Sequence, residues 1–325
     1  PGTPGNPRFT EVAAAAGVAA SGAGQSGGSY ACAFADFDCD GFPDLFVGNL
    51  DMKGTAAGLR LFRNKRDGTF VDVSLSSGVN GHGFCTACAV GDVDNDGDLD
   101  LLVVFGDGKR PSALFINEGG FTFRDRAETA GLGAVIGGSR GCCMGDVNND
   151  GYLDILVASF DGGKLFINRG DGTFAECAAQ AGISNPGMHG CALGDLDNDG
   201  DLDLYSSNWH IRQLPETGRF LLHRNMLNDG NWLKVIVKGT DSNRSGVGAR
   251  VSVYDAGHSG ERKHLRGFRE VAGGSGVFSA PPLVQHFGLD TRGMYDVVVR
   301  FPRTGRHTIA RVAAGQTIAV GEPVR

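Results

Sequence analysis

Apolar residues in this chain come in short bursts, separated by aspartate and glycine. Four bursts recur in the same setting: LFVGN from Leu45, LLVVF from Leu101, ILVAS from Ile155 and LYSSN from Leu204. Each follows an acidic run: DFDCDGFPD from Asp36, DVDNDGDLD from Asp92, DVNNDGYLD from Asp146 and DLDNDGDLD from Asp195. The run starts lie 56, 54 and 49 residues apart. A second element follows as LFRN ending at Asn64, LFIN at Asn117, LFIN at Asn168 and LHRN at Asn225. A third follows as DGTFVDVSLSSGV from Asp67, the looser FTFRDRAETAGL from Phe121 and DGTFAECAAQAGI from Asp171. Bursts this short, bounded by turn residues, predict strands. About four strands per repeat at this period is the pattern of a β-propeller blade. The fold expected is all-β: a propeller over residues 1–230 with four motif-bearing blades, and a small β-sandwich-like domain over 231–325, where the strands show no helical periodicity. The last repeat lacks the third element, but the N-terminus begins with it, as FTEVAAAAGV from Phe9. An N-terminal strand completing the last blade would close the ring and remove exposed sheet edges.

Composition sharpens this picture. The 325 residues give room for two domains. Gly accounts for 53 of them, more than twice the usual share of about 7%. Such an excess excludes long helices, where each glycine costs about 1 kcal/mol. The longest apolar stretches, such as Leu101–Phe105 and Val235–Val237, fall far short of the ~20 residues of a membrane helix. A start at Pro1 rather than Met reads as a processed or trimmed N-terminus. Charge is unevenly divided: residues 231–325 carry 14 basic and 7 acidic side chains, net +7, so residues 1–230 are net −14. That half is a poor partner for nucleic acid.

The acidic runs have the logic of a hard-cation site. Carboxylates on alternate residues of a tight loop converge, glycine at the sixth position permits the turn, the seventh offers a carbonyl and the ninth closes the shell. The candidate ligands are Asp36, Asp38, Asp40, the Phe42 carbonyl and Asp44; Asp92, Asp94, Asp96, the Asp98 carbonyl and Asp100; Asp146, Asn148, Asp150, the Tyr152 carbonyl and Asp154; and Asp195, Asp197, Asp199, the Asp201 carbonyl and Asp203. Calcium suits them better than magnesium, which demands stricter octahedral geometry, and about four ions are expected. The ninth-position closure and missing flanking helices set these loops apart from an EF-hand.

These runs resemble the integrin-type FG-GAP/VCBS repeat. The C-terminal segments NWLKVIVKG from Asn231, GVGARVSVYDAG from Gly246, REVAGGSG from Arg269, QHFGLD from Gln285 and VVVRFPRTGRH from Val297 look like the ASPIC/UnbV domain. The combination is similar to the cartilage acidic protein family. What the resemblance implies is a secreted protein that binds calcium through its repeats and associates with matrix or cell surfaces.

Other residues leave alternatives open. All eight cysteines lie in the acidic half, an even count compatible with disulfides in an oxidising compartment. Cys32, Cys88, Cys142 and Cys191 each stand four residues before their acidic run, at equivalent places on the innermost strands. They fit packing, disulfides or, less well, a metal. His82, His189 and Trp209-His210 are candidates for a channel mouth, where an enzyme of lyase or cyclase type would work. No GxSxG, HExxH or phosphate-binding loop accompanies them. Arg262, Lys263, Arg266 and Arg269, with Arg300, Arg303, Arg306 and Arg311, suggest a surface for an anionic glycan, or a face that docks on the acidic half of this or another copy. Asn243-Arg-Ser245 is an N-glycosylation sequon. The reading favoured is a secreted calcium-binding propeller for adhesion, matrix or surface assembly, with an extracellular protein or anionic glycan as partner. Its rivals are the secreted enzyme and a subunit of an extracellular filament.

Overall fold

Short β-rich bursts punctuated by glycine make the regular structure of the described residues almost wholly strand. The computed structural model describes residues 9–19, 28–49, 58–81, 83–108, 111–133, 138–183, 185–208, 219–227, 230–273, 283–289, 292–305 and 307–323. Two single-turn helices, α1 (Ala13–Ala16) and α2 (Ser74–Ser77), and one 3₁₀ turn (Arg262–His264) are the helical segments described. The first blade comprises β1 (Ser29–Ala35), β2 (Asp44–Asn49), β3 (Arg60–Asn64) and β4 (Phe70–Asp72). The second comprises β5 (Cys85–Gly91), β6 (Asp100–Phe105), β7 (Ala113–Asn117) and β8 (Phe123–Asp125). The third comprises β9 (Ser139–Gly145), β10 (Asp154–Ser159), β11 (Lys164–Asn168) and β12 (Phe174–Glu176), and the fourth β13 (Met188–Gly194), β14 (Asp203–Asn208) and β15 (Leu221–His223). Each is an antiparallel meander. Its acidic run is the turn between the first and second strands.

The blades stack in chain order, β1 on β5, β5 on β9 and β9 on β13. The expected ring is not closed among the described residues: no comparable packing joins β13 to β1. Burial reports the same asymmetry. Strands β6 and β10, in the two inner blades, are buried at every position, as a sheet covered on both faces must be. Strand β2 alternates, because only one of its faces is covered. Segment 9–18 contributes no strand to the fourth sheet; α1 ends at Gly17, against the Phe70 carbonyl of the first blade.

The innermost strands explain the cysteine spacing. Cys32, Cys88 and Cys142 face Val47, Val103 and Val157 in the ladders, and Cys191 faces Ser206. Their side chains point sideways into blade–blade contacts rather than around an axis: Cys88, Cys142 and Cys191 each join the core shared with the preceding blade. Cys32 has no preceding blade among the described residues and is exposed. No disulfide joins any of the eight cysteines, all of which lie among the described residues.

The remaining strands form two facing sheets. One has the order β19 (Gln285–Gly288), β16 (Trp232–Lys238), β22 (Gln316–Gly321), with β16 and β22 parallel. The other runs β18 (Leu265–Glu270), β17 (Arg250–Asp255), β20 (Met294–Arg300), β21 (His307–Ala313). Leu233, Val235, Val251, Phe287, Val297 and Val299 fill the space between them. Phe268 leaves this core and packs with Phe37, Phe46 and Leu101 of the first two blades. Among the described residues no helix is long and apolar enough to cross a membrane.

Candidate metal centres

The four acidic turns share one backbone geometry. The fourth position is left-handed, at Cys39 (φ 57), Asn95 (φ 55), Asn149 (φ 57) and Asn198 (φ 62), which favours asparagine. The sixth is always a left-handed glycine: Gly41, Gly97, Gly151 and Gly200. With the chain curled this way, the first aspartate accepts N–H bonds from across the loop. Asp36 takes Asp40 N at 2.8 Å and Gly41 N at 2.8 Å; Asp92 and Asp146 repeat the pair with Asp96 and Gly97, and with Asp150 and Gly151. Asp195 accepts from Gly200. The fifth residue, Asp40, Asp96, Asp150 or Asp199, accepts the N–H of the seventh, Phe42, Asp98, Tyr152 or Asp201.

The curl gathers carboxylates. In each of three turns one oxygen from each of three side chains lies within 4.8 Å of the others: Asp36, Asp38 and Asp40; Asp92, Asp94 and Asp96; Asp195, Asp197 and Asp199. The third turn presents Asp146, Asn148 and Asp150, with Asn148 Nδ2 donating to Asp150 Oδ2 at 2.8 Å. The ninth residue is placed differently. Both oxygens of Asp44, Asp100, Asp154 and Asp203 accept backbone N–H groups, one from the second loop position and one from the asparagine that ends the third strand or, for Asn225, lies two residues beyond it. These four are buried, and they fasten each turn to its blade.

Electrostatics make the clusters costly on their own. Burial pushes Asp92 and Asp146 up to about 7, and Asp44 and Asp154 up to about 8, with neighbouring carboxylates adding to the shift. Asp38 Oδ1 and Asp195 Oδ1 are buried without a hydrogen-bond partner. An all-oxygen donor set with such orphaned atoms fits a calcium ion.

Sequence spacing did not reveal a second set of functional residues, the asparagines at or just beyond the ends of the third strands. Asn117 Nδ2 donates to Phe37 O of the preceding blade, Asn168 Nδ2 to Val93 O and Asn225 Nδ2 to Val147 O, at 2.9, 2.7 and 2.7 Å. Each thus ties its blade to the acidic turn before it. Their signal was present as the invariant last letter of LFRN, LFIN and LHRN.

The basic domain covers the acidic turns of its own chain. Arg250 pairs with Asp36 at 3.0 Å and donates to Cys39 O at 2.9 Å. Lys234 pairs with Asp195 at 2.6 Å, and Arg262 with Asp96 at 2.5 Å. Arg269 is buried within the field of Asp146 and Asp92. His286 Nε2 bonds Gly200 O at 2.8 Å, and Glu270 accepts the Asp36 N–H at 3.1 Å. Gly288 has no alternative, since a Cβ there would lie 2.0 Å from Asp146 Oδ2. Cations from within the repeats add to this: Arg63 pairs with Asp38, Arg66 with Asp40, and Arg224 with Asp197 and Asp199.

Of the channel-mouth candidates, His82, Trp209 and His210 lie outside the described residues. His189 is at the opposite end of the innermost strands from the acidic turns, its ring 5.9 Å from Phe160. Of the arginine groups, Arg266 is held by Asp255 and Arg311 by Asp296, and Arg306 lies outside the described residues.

A stretch of 77 residues, 23% of this chain, is 39% identical to Cartilage acidic protein 1 of Homo sapiens, and the match spans 12% of that protein's length. Among solved structures, an Agrocybe aegerita lectin that recognises non-reducing terminal N-acetylglucosamine is similar at 20% identity and TM-score 0.34, over 60% of this chain and 52% of the lectin. The Photorhabdus luminescens Tc holotoxin pore is similar at 16% identity and TM-score 0.34, over 83% of this chain and 14% of that one. Residues 40–103, 102–157 and 146–206 match the FG-GAP-like repeat, and residues 239–325 match the ASPIC and UnbV domain. With its acidic turns built on one plan and capped by the domain that follows them, this chain belongs to the FG-GAP-like repeat proteins that carry an ASPIC and UnbV domain.

Proposed function

We propose that this protein is a secreted, calcium-binding propeller protein whose role is adhesion, matrix binding or surface assembly. The repeats supply the calcium sites, and residues 231–325 form a separate basic module that clamps the loop face. The observation that carries the calcium reading is the convergence of three carboxylates within 4.8 Å in three of the turns, two of them with an unpartnered buried oxygen. In the ligand set proposed, the first, third and fifth side chains of each turn hold the ion. The carbonyls of Phe42, Asp98, Tyr152 and Asp201 add to the shell, and Asp44, Asp100, Asp154 and Asp203 complete it. A bound calcium would hold these carboxylates ionised and remove the repulsion among them.

Secretion follows from the same reading. Turns with a Kd of ~0.1 mM gain about 1.4 kcal/mol each in ~1 mM calcium, roughly 6 kcal/mol over four, and the cytosol does not offer that concentration. The partner proposed is an extracellular protein or an anionic glycan, or a second copy of the chain. Arg300 and Arg303 are exposed cations of the basic domain available to meet a glycan.

The deciding experiment is a thermal melt in millimolar calcium and in excess chelator. A gain near 6 kcal/mol raises the midpoint by ~10 °C or more. An unchanged midpoint rejects the calcium assignment.

A further inference from the structure

Between β17 and β18 the chain carries His258-Ser-Gly-Glu261-Arg-Lys-His264, whose two histidines and glutamate play no part in the acidic turns. The connection folds back through its 3₁₀ turn and brings three ligating side chains together. A ring nitrogen of each histidine and a carboxylate oxygen of Glu261 lie within 4.8 Å of one another. The two imidazoles stack with centroids 3.8 Å apart and planes inclined by 17°. His258 Nδ1 is 3.0 Å from Glu261 Oε1, and His264 Nε2 is 4.0 Å from Glu261 Oε2. Donors on one tetrahedral zinc, with bonds of 2.0–2.1 Å, stand about 3.3 Å apart. The first separation is close to that value; the second runs to the other carboxylate oxygen, and a small shift of the exposed Glu261 side chain brings it into range.

A second observation points the same way. His264 Nδ1 is bonded to Asp255 Oδ2 at 2.8 Å, and Arg266 grips Asp255 through Nε at 2.7 Å and Nη2 at 3.0 Å. A carboxylate on one ring nitrogen fixes the tautomer and leaves the other as a lone-pair donor, the usual support for a metal-bound histidine. Here the nitrogen left over is Nε2, the one that faces Glu261. The site is open: the side chains of His258, Glu261 and His264 are 43%, 47% and 26% exposed. Three protein ligands with a position for water or for a partner's ligand is the arrangement of a non-structural zinc site.

We propose that His258, Glu261 and His264 bind a borderline divalent transition ion, with zinc as the reference ion and Asp255 as the residue that orients His264. The donor set separates this site from the acidic turns, since imidazole favours zinc over calcium. Its location links it to them, because Arg262, inside the same turn, reaches Asp96 of the second blade.

The test titrates the full chain with zinc in saturating calcium, so that the acidic turns are already filled. One zinc per chain is expected, with affinity falling at least ten-fold in His264→Ala and in Glu261→Gln. The melting midpoint in calcium without zinc should be the same for all three proteins, which separates loss of a ligand from loss of fold. Cobalt, added in place of zinc, should give visible d–d bands without the intense near-ultraviolet absorption of a thiolate complex. Zinc binding unchanged in both variants overturns the proposal. So does a thiolate band, which would place the ion on the cysteines.

Discussion

Replacing Asn168 by alanine should loosen the contact between the second and third blades, and the structure sets the size of the effect. Asn168 is buried and makes three bonds: Nδ2 to Val93 O at 2.7 Å, Nδ2 to Leu153 O at 3.1 Å, and Oδ1 from Gly170 N at 3.0 Å. Both carbonyls belong to buried residues, so alanine leaves their oxygens without this donor. A lost hydrogen bond is worth about 1 kcal/mol and a stranded buried acceptor costs about 1–3 kcal/mol. The total expected is about 3 kcal/mol. Asn64 supplies an internal control. It occupies the same place in the first blade, where no blade precedes it. Its Nδ2 reaches only the Pro43 carbonyl, at 2.8 Å, and its Oδ1 accepts from Arg66 N, all in exposed surroundings. Asn64→Ala should cost no more than about 1 kcal/mol. Urea unfolding of both variants in saturating calcium measures the difference through the midpoints, provided the m-values match. Hydrogen exchange localises it: the gain should fall on β5 and β9 in Asn168→Ala alone. Equal costs for the two variants, or a loss below ~1 kcal/mol for Asn168→Ala, would refute the view that this residue joins blades.

Two further outcomes follow from buried groups at the domain and blade contacts. Burial holds His286 down at about 4, against an ordinary value of 6.5, so its neutral form is the folded one. The stability this confers is present above pH 6.5 and is lost as pH falls through 6.5 towards 4. The shift converts to a loss of about 3 kcal/mol at the acid end. His286→Gln should flatten that part of the stability profile relative to wild type, and an identical slope in both proteins would discard the assignment. Cys143 Sγ lies 3.4 Å from Cys191 Sγ across the contact of the third and fourth blades. A closure of about 1.4 Å makes a disulfide of them. Mild oxidation followed by peptide mapping should recover Cys143–Cys191, whereas a Cys85–Cys88 link as the main product would show that the blades do not hold that approach.

What the sequence disclosed and what it concealed divide by range. Strand order, the acidic turns and the glycine at their sixth position all depend on neighbours within one repeat, and repetition made them legible. The ninth-position carboxylates were legible as a pattern. Their bonds to backbone N–H groups such as Asn64 N and Asn117 N were not, because spacing alone does not show which atoms face each other. The domain contact was hidden for the same reason, being made by residues as far apart as Asp36 and Glu270 or Cys39 and Arg250. The opposite charges of the two halves announced complementarity, but the basic cluster misled as a unit. Read along the chain, Arg262, Arg266 and Arg269 form one patch. Folded, a turn and a strand send them to three places: onto Asp96, onto Asp255, and into the buried space near Asp92 and Asp146.

That dispersal gives the basic domain a definite electrostatic task. In the first and fourth repeats an arginine next to the terminal asparagine, Arg63 or Arg224, already pairs with the loop carboxylates. In the second and third repeats that position is Ile116 or Ile167, and no such cation is available from it. Those are the two turns beside which Arg269 is buried. A buried arginine is sustained only where carboxylates compensate it, and a buried carboxylate cluster has the converse need. The first and fourth turns receive buried cations from the same domain as well, Arg250 on Asp36 and Lys234 on Asp195, so the domain supplies positive charge along the whole row of turns. The acidic turns and the domain that caps them form one electrostatic unit, and calcium, where it binds, adds to a neutralisation the chain has already begun.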